Sequence, residues 1–198
     1  MDPEERLKLF NDQTDDIYRA IGKFSVKFEQ LIFYMGQGIT FFLSQSGLKN
    51  QQLSNIVLAG LTAQPVKNMF SAMIYEFIKS SDSERKIVKE ILNQVQSLIE
   101  RRNDIVHSTW FVGWANPSDT DFREVSGHKL TKGSSGAGVK VFNFTSADFD
   151  QFSDDCDSTS ALVKRLWGVI IAEMSIESNF YYSDSGELIG APNPNRDS

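Results

Sequence analysis

Between Thr14 and about Ser44 the apolar residues Ile17, Ile21, Phe24, Phe28, Leu31, Met35 and Phe42 recur in steps that mostly alternate between four and three. A stripe of that period lies along one side of a helix and has to be buried against other helices. The chain therefore commits an early segment to a long core helix. Gly36 and Gly38 interrupt the stripe, and either bend the helix or admit a close neighbour. Gly47 then supplies a stop.

Two shorter helices are predicted at about Gln51–Leu61 and Val66–Lys79, with Thr62-Ala63-Gln64-Pro65 between them. Ser81 and Glu84 have capping-box spacing, which opens a helix by satisfying orphaned backbone donors. That helix carries Ile87, Ile91, Val95, Leu98, Ile99 and Ile105 on its buried side and ends near His107. From Thr109 to Thr145 the pattern is not helical. Thr109–Trp114, Phe122–Leu130 and Val139–Phe144 read as short strands, joined by the turn Asn116–Asp119 and by a flexible Gly133–Gly138. Thr145 and Asp148 repeat the capping-box spacing and start a last helix striped by Phe149, Phe152, Cys156, Val163, Leu166, Ile170 and Met174. Past about Tyr182 the chain is polar and rich in Gly, Pro, Asn and Asp, as expected of a mobile tail over 183–198. The expected fold is mainly α: four or five helices in one domain over 1–182, with a small β insertion at 109–145 before the last helix. An apolar fraction of 40% with 15 Phe and 3 Trp in 198 residues can fill one core of ordinary size or two small ones.

No stretch approaches the roughly 20 consecutive apolar residues that span a bilayer. The acidic start Met1-Asp2-Pro3-Glu4-Glu5 lacks the basic-then-apolar order of a signal peptide. Cys156 is alone, so no internal disulfide forms. These features lead to the expectation of a cytoplasmic protein away from membranes. The net charge of -6 argues against coating long stretches of nucleic acid, although a local basic cleft is compatible with it.

The chemistry-bearing residues are concentrated in Arg102-Asn103-Asp104-Ile105-Val106-His107. Arg is a permanent cation whose planar fork grips a phosphate through two hydrogen bonds. His gives and takes a proton near neutrality. Cleaving RNA through its 2′-hydroxyl needs a base, an acid for the leaving 5′-oxygen and positive charge on the phosphate. One chain supplies a single motif His, whereas two chains about a two-fold axis supply two His and two Arg. Asn103 and His107 are four apart and share a helix face. Arg102 and His107 differ by about 140° around an ideal helix, so a long side chain or a loosened last turn has to bring them together. Each residue also has an ordinary use: Arg102 with Glu100 and Asp104 fits a solvated charged face, and His107 fits a dipole cap.

The run Glu100-Arg101-Arg102-Asn103-Asp104-Ile105-Val106-His107-Ser108-Thr109-Trp110 resembles the signature of the HEPN superfamily. Those are small helical-bundle domains, many of them metal-independent endoribonucleases of prokaryotic defence and toxin–antitoxin systems. Arg102, Asn103 and His107 match the family's Arg, the polar residue after it and the His, and the motif likewise closes a helix. The resemblance implies catalytic roles for these three residues at a composite homodimer site, an RNA substrate, no cofactor or metal, and a neutralising antitoxin or other defence protein as a further partner. The alternative is a non-enzymatic HEPN-like module that dimerises or docks a partner protein.

Weaker candidates surround the motif. Arg19, Lys23 and Lys27 step by four along the first helix and, with Arg101, could guide an RNA strand, although such lines are commonly solvated faces. Trp110 and Trp114 could stack on bases, or belong to the core. Glu29 is a candidate for turning inward to orient Arg102, or else lies exposed on its flank. His128 and the lone Cys do not make a zinc site. The acidic cluster at 148–157 lacks calcium-loop spacing, and Gly133–Gly138 lacks the Lys of a phosphate loop.

Overall fold

The computed structural model describes residues 2–78, 81–114, 122–133 and 136–191. The chain is mainly helical, with five α-helices and a small antiparallel sheet among those residues. The helices are α1 (Pro3–Gln45), α2 (Gln51–Leu58), α3 (Ala63–Phe77), α4 (Asp82–Val106) and α5 (Ser146–Ile171). Strands β1 (Thr109–Trp110), β2 (Glu124–Gly133) and β3 (Gly136–Thr145) form one sheet in that order. A second hairpin joins β4 (Phe180–Tyr182) and β5 (Leu188–Gly190).

The chain packs as two compact units, Met1–Phe28 with Glu100–Cys156, and Glu29–Ile99 with Asp157–Ser198. Helices α1, α4 and α5 contribute residues to both. In the first unit Ile17, Phe24 and Phe28 of α1 are buried, as are Ile105, Val125, Phe149 and Phe152. Its centre is aromatic: Phe144 lies 5.5 Å from Phe149 and 5.2 Å from Phe152, both edge-on. Such pairs add about 0.5–1.5 kcal/mol beyond the area they bury. Thr145 and Asp148 form the expected capping box. The Asp148 carboxylate accepts from the Thr145 N–H and hydroxyl at 2.7 Å each, and the Asp148 N–H donates to the Thr145 hydroxyl at 3.3 Å.

In the second unit Leu31, Met35, Ile39 and Phe42 continue the α1 stripe and are fully buried. The helix runs unbroken through both glycines, and Gly38 admits neighbours. A Cβ there would lie 2.6 Å from the Phe70 ring and 3.0 Å from that of Trp167. Ser81 caps α4 as expected, its hydroxyl accepting from the Glu84 N–H at 3.2 Å. The Glu84 carboxylate accepts from the Ile176 N–H at 3.0 Å.

Several elements differ from expectation. α1 starts at Pro3, because a proline at the first helical position and Glu4 and Glu5 in the first turn begin a helix before its apolar stripe does. The strand expected over Thr109–Trp114 stops at Trp110. A turn follows in which Gly113 adopts φ 72. The expected loop at Gly133–Gly138 is mostly strand: β2 and β3 pair from Glu124↔Thr145 to Gly133↔Gly136. The mobile tail expected from 183 is instead ordered as far as Ala191. Ser183 and Glu187 bridge a turn, Gly186 takes φ 80, and Leu188 is 3% exposed. Met174, placed on the α5 stripe, lies beyond the helix end and is exposed. The turn expected at Asn116–Asp119 and the tail's last residues lie outside the described residues.

Candidate functional site

The last turn of α4 leaves carbonyl groups without helical donors, and the first unit provides them. The Asn103 carbonyl accepts from the His107 N–H at 3.3 Å and from Lys129 Nζ at 3.3 Å. The Asp104 carbonyl accepts from the Ser108 hydroxyl at 2.6 Å. The Ile105 carbonyl accepts from Trp110 Nε1 at 2.8 Å. The helix end is thus closed by a hairpin lysine, a serine and an indole. The His107 ring takes no part.

His107 is exposed, and among the described residues its ring makes no hydrogen bond or ion pair. The Asn103 amide is half-buried and likewise unengaged. The half-buried Arg102 holds its guanidinium carbon 5.7 Å from the centroid of Phe28. Arg101 lies closer over an aromatic face, 4.1 Å from the centroid of Phe152. Cation–π contacts of this kind fix the direction of a long side chain while keeping its charge.

Asp104, inside the motif, is gripped from the sheet. Lys129 Nζ lies 2.8 Å from one carboxylate oxygen and Lys140 Nζ 2.6 Å from the other. Burial pushes the Asp104 carboxyl up, but the hydrogen bonds and charges of Lys129 and Lys140 outweigh it and hold the group below its ordinary value. Asp148 is also held low, by the hydrogen bonds from the Thr145 backbone and hydroxyl against an opposing effect of burial, with the Arg101 charge adding to them. Neither lysine stands out in the sequence as a site residue. Lys129 and Lys140 are direct cross-strand partners. Two cations placed opposite each other repel unless an anion lies between them, and Asp104 is that anion. Counting back from the Gly133↔Gly136 pair puts them opposite each other.

The remaining candidates are scattered. Arg19 is paired with Asp16 at 2.8 Å and Lys23 with Asp150 at 2.7 Å, both largely exposed. Lys27 is half-buried on α1. Arg19 and Lys23 of the expected RNA-guiding line therefore have carboxylates beside them. Glu29 is exposed on α1. Trp110 is packed into the chain, 5.9 Å from Phe144 and 5.5 Å from Phe149, and covers Gly127, where a Cβ would meet its ring at 2.6 Å. These contacts leave the ring half-buried. Trp114 is 75% exposed.

Among the described residues no group of three or more His, Cys, Asp or Glu is placed to hold a metal ion, and no helix is long and apolar enough to cross a membrane. Comparison with protein-family models, with curated proteins and with solved structures finds no match.

Proposed function

We propose that the chain is a HEPN-like, metal-independent endoribonuclease that works as a homodimer in the cytoplasm, in a defence or toxin–antitoxin setting. The observation that supports this reading best is the state of His107. Its ring is exposed and uncommitted just beyond Arg102 and Asn103, while other residues close the helix end. A histidine kept only as a cap would be expected to bond or lie against the carbonyls that Lys129, Ser108 and Trp110 already satisfy. Two arginines and two lysines next to residues 103 and 104 give an acidic chain a local cationic neighbourhood. That is where an RNA phosphate would be attracted.

In this reading His107 moves a proton to or from the 2′-hydroxyl or the leaving 5′-oxygen. Arg102 carries charge to the crowded phosphate and Asn103 donates a hydrogen bond to it. Asp104 is a positioning residue, tying the motif to the hairpin through Lys129 and Lys140. A concerted step needs base and acid together, so the second histidine comes from a second chain. The two classes of reading separate on one measurement: purified chain incubated with labelled single-stranded RNA in chelator. The expected products end in a 2′,3′-cyclic phosphate or a 3′-phosphate, and 2′-deoxy substrate resists. No cleavage, or cleavage of the deoxy strand, overturns the nuclease and leaves a docking module.

A further inference from the structure

In the three-stranded sheet of the first unit the outer edge of β3 is open along its length. β1 covers β2 only at Gly127 and His128, and β3 lies on the far side. The Phe111 N–H donates to the Ser126 carbonyl at 3.0 Å, so Ser126 turns its backbone polar groups towards β1. Backbone groups alternate sides along a strand in step with the ladder. Val125, Gly127, Lys129 and Thr131 therefore face β3, where their partners are Phe144, Phe142, Lys140 and Gly138. The residues between those partners, Ala137, Val139, Val141 and Asn143, point their N–H and C=O groups outwards. Among the described residues these groups have no hydrogen-bond partner. The face of the sheet turned away from the Phe144–Phe149 core is also apolar and open: Leu130 is 83% exposed, Val139 56% and Val141 54%. A long, apolar, unpaired edge is what folded proteins ordinarily blunt or cover.

We propose that β3 pairs antiparallel with β3 of a second copy of this chain about a two-fold axis, giving one six-stranded sheet. Charge selects this occupant. The chain carries a net -6, so copies repel over much of their surface. From Gly136 to Thr145 there is no carboxylate, and the single charge, Lys140, is bound to Asp104 of its own chain on the opposite face. Two copies therefore meet least repulsion along this edge. A register with Val141 opposite itself places Lys140 across from Phe142 of the second copy, away from the other lysine, and Val139 across from Asn143. Like charges are kept apart and the apolar face continues across the axis. The pairing rests on the nuclease reading in one respect, that each site is incomplete without a second His107. The Lys140–Asp104 bond ties the end of α4 to the strand on the axis, so the same pairing brings the two motifs to one side of the joint.

Sedimentation equilibrium of the full chain at micromolar concentration tests the pairing, together with hydrogen exchange of the wild-type amides. The expected result is twice the single-chain mass, with the amides of Val139, Val141 and Asn143 protected and losing that protection on dilution. Val141→Pro removes an outward N–H that has no partner within the chain, and proline is tolerated on edge strands facing outwards. It should halve the mass with the helical circular dichroism unchanged. Val141→Asp places two carboxylates across the axis and should do the same. A wild-type monomer overturns the proposal, as does a dimer in which those amides exchange freely, or a folded Val141→Asp protein that stays dimeric. Dimers with protected β3 amides and no RNA cleavage leave the pairing standing and remove the nuclease. Cleavage by a chain with unprotected amides removes the pairing alone.

Discussion

The indole N–H of Trp110 donates to the Ile105 carbonyl at 2.8 Å, fastening the first strand residue pair back onto the helix that carries the motif. The same ring lies on Gly127 of β2 and beside Phe144 and Phe149. Helix end and sheet are therefore one packed unit, and the orientation of residues 102–107 depends on that packing.

Trp110→Phe keeps an aromatic ring but leaves the Ile105 carbonyl without the indole donor. The Ser108 N–H still reaches that carbonyl at 3.4 Å, so the change should cost about 0.5–1.5 kcal/mol, the range for one intramolecular hydrogen bond, read as a lowered urea midpoint. Unchanged stability would show that the indole bond contributes nothing. Gly127→Ala, whose new methyl would overlap the ring, should destabilise by about 1–3 kcal/mol as overpacking does.

Acid should loosen this region. The carboxyls of Asp104 and Asp148 are held below their ordinary values in the folded chain. A depressed pKa means that the unfolded state binds protons first as pH falls. The stabilising contribution is thus complete above the unfolded value of about 3.9 and is lost as pH drops through the lower folded value. Asp104→Asn removes one titrating group and should make unfolding free energy depend less steeply on pH below about 4. An unchanged acid slope in chemical denaturation would contradict the lysine clamp.

His107→Ala should reduce RNA cleavage at least about 10²-fold, the usual scale for a general acid–base group. Its exposed ring should make the change nearly silent in stability, within about 0.5 kcal/mol. Arg102→Ala should lose cleavage comparably, by removing charge from the transition state, on the order of 3 kcal/mol. Unlike His107 it should also lower the melting temperature, because its side chain is half-buried against Phe28. Wild-type-like cleavage by a folded His107→Ala protein ends the enzymatic reading.

A composite site predicts interference between chains. Mixed and re-equilibrated with an equal amount of His107→Ala protein, wild-type chains should retain about half of their activity or less, since about half of the dimers then hold a single motif histidine. Activity that follows the wild-type amount unchanged, assayed per wild-type chain, would place a complete site within one chain.

Periodicity made the helices legible. The stripe from Ile17 to Phe42 depends only on which residues are apolar and how far apart they are, so burial in α1 follows almost directly. The capping pairs Ser81–Glu84 and Thr145–Asp148 are equally local, each joining residues three apart. Position along the chain also brought Arg102, Asn103 and His107 to a helix end. What sequence did not reveal depends on partners distant in the chain. Asp104 reads as an exposed helix charge until β2 and β3 bring Lys129 and Lys140 to it, 25 and 36 residues later. Trp110 reads equally as a stacking platform or a core residue, and only the fold brings it against Phe144, Phe149 and Gly127. Leu188 and Ile189, two apolar residues in a polar stretch, give no periodic signal, yet they pair with Tyr182 and Tyr181 in the segment expected to be mobile. Sequence alone determined which segments form helices and which capping pairs open α4 and α5, because those choices are made over a few neighbouring residues. Tertiary structure decided which charges are paired, which aromatics are buried and which strand edge stays open, because each requires segments far apart in the chain to meet.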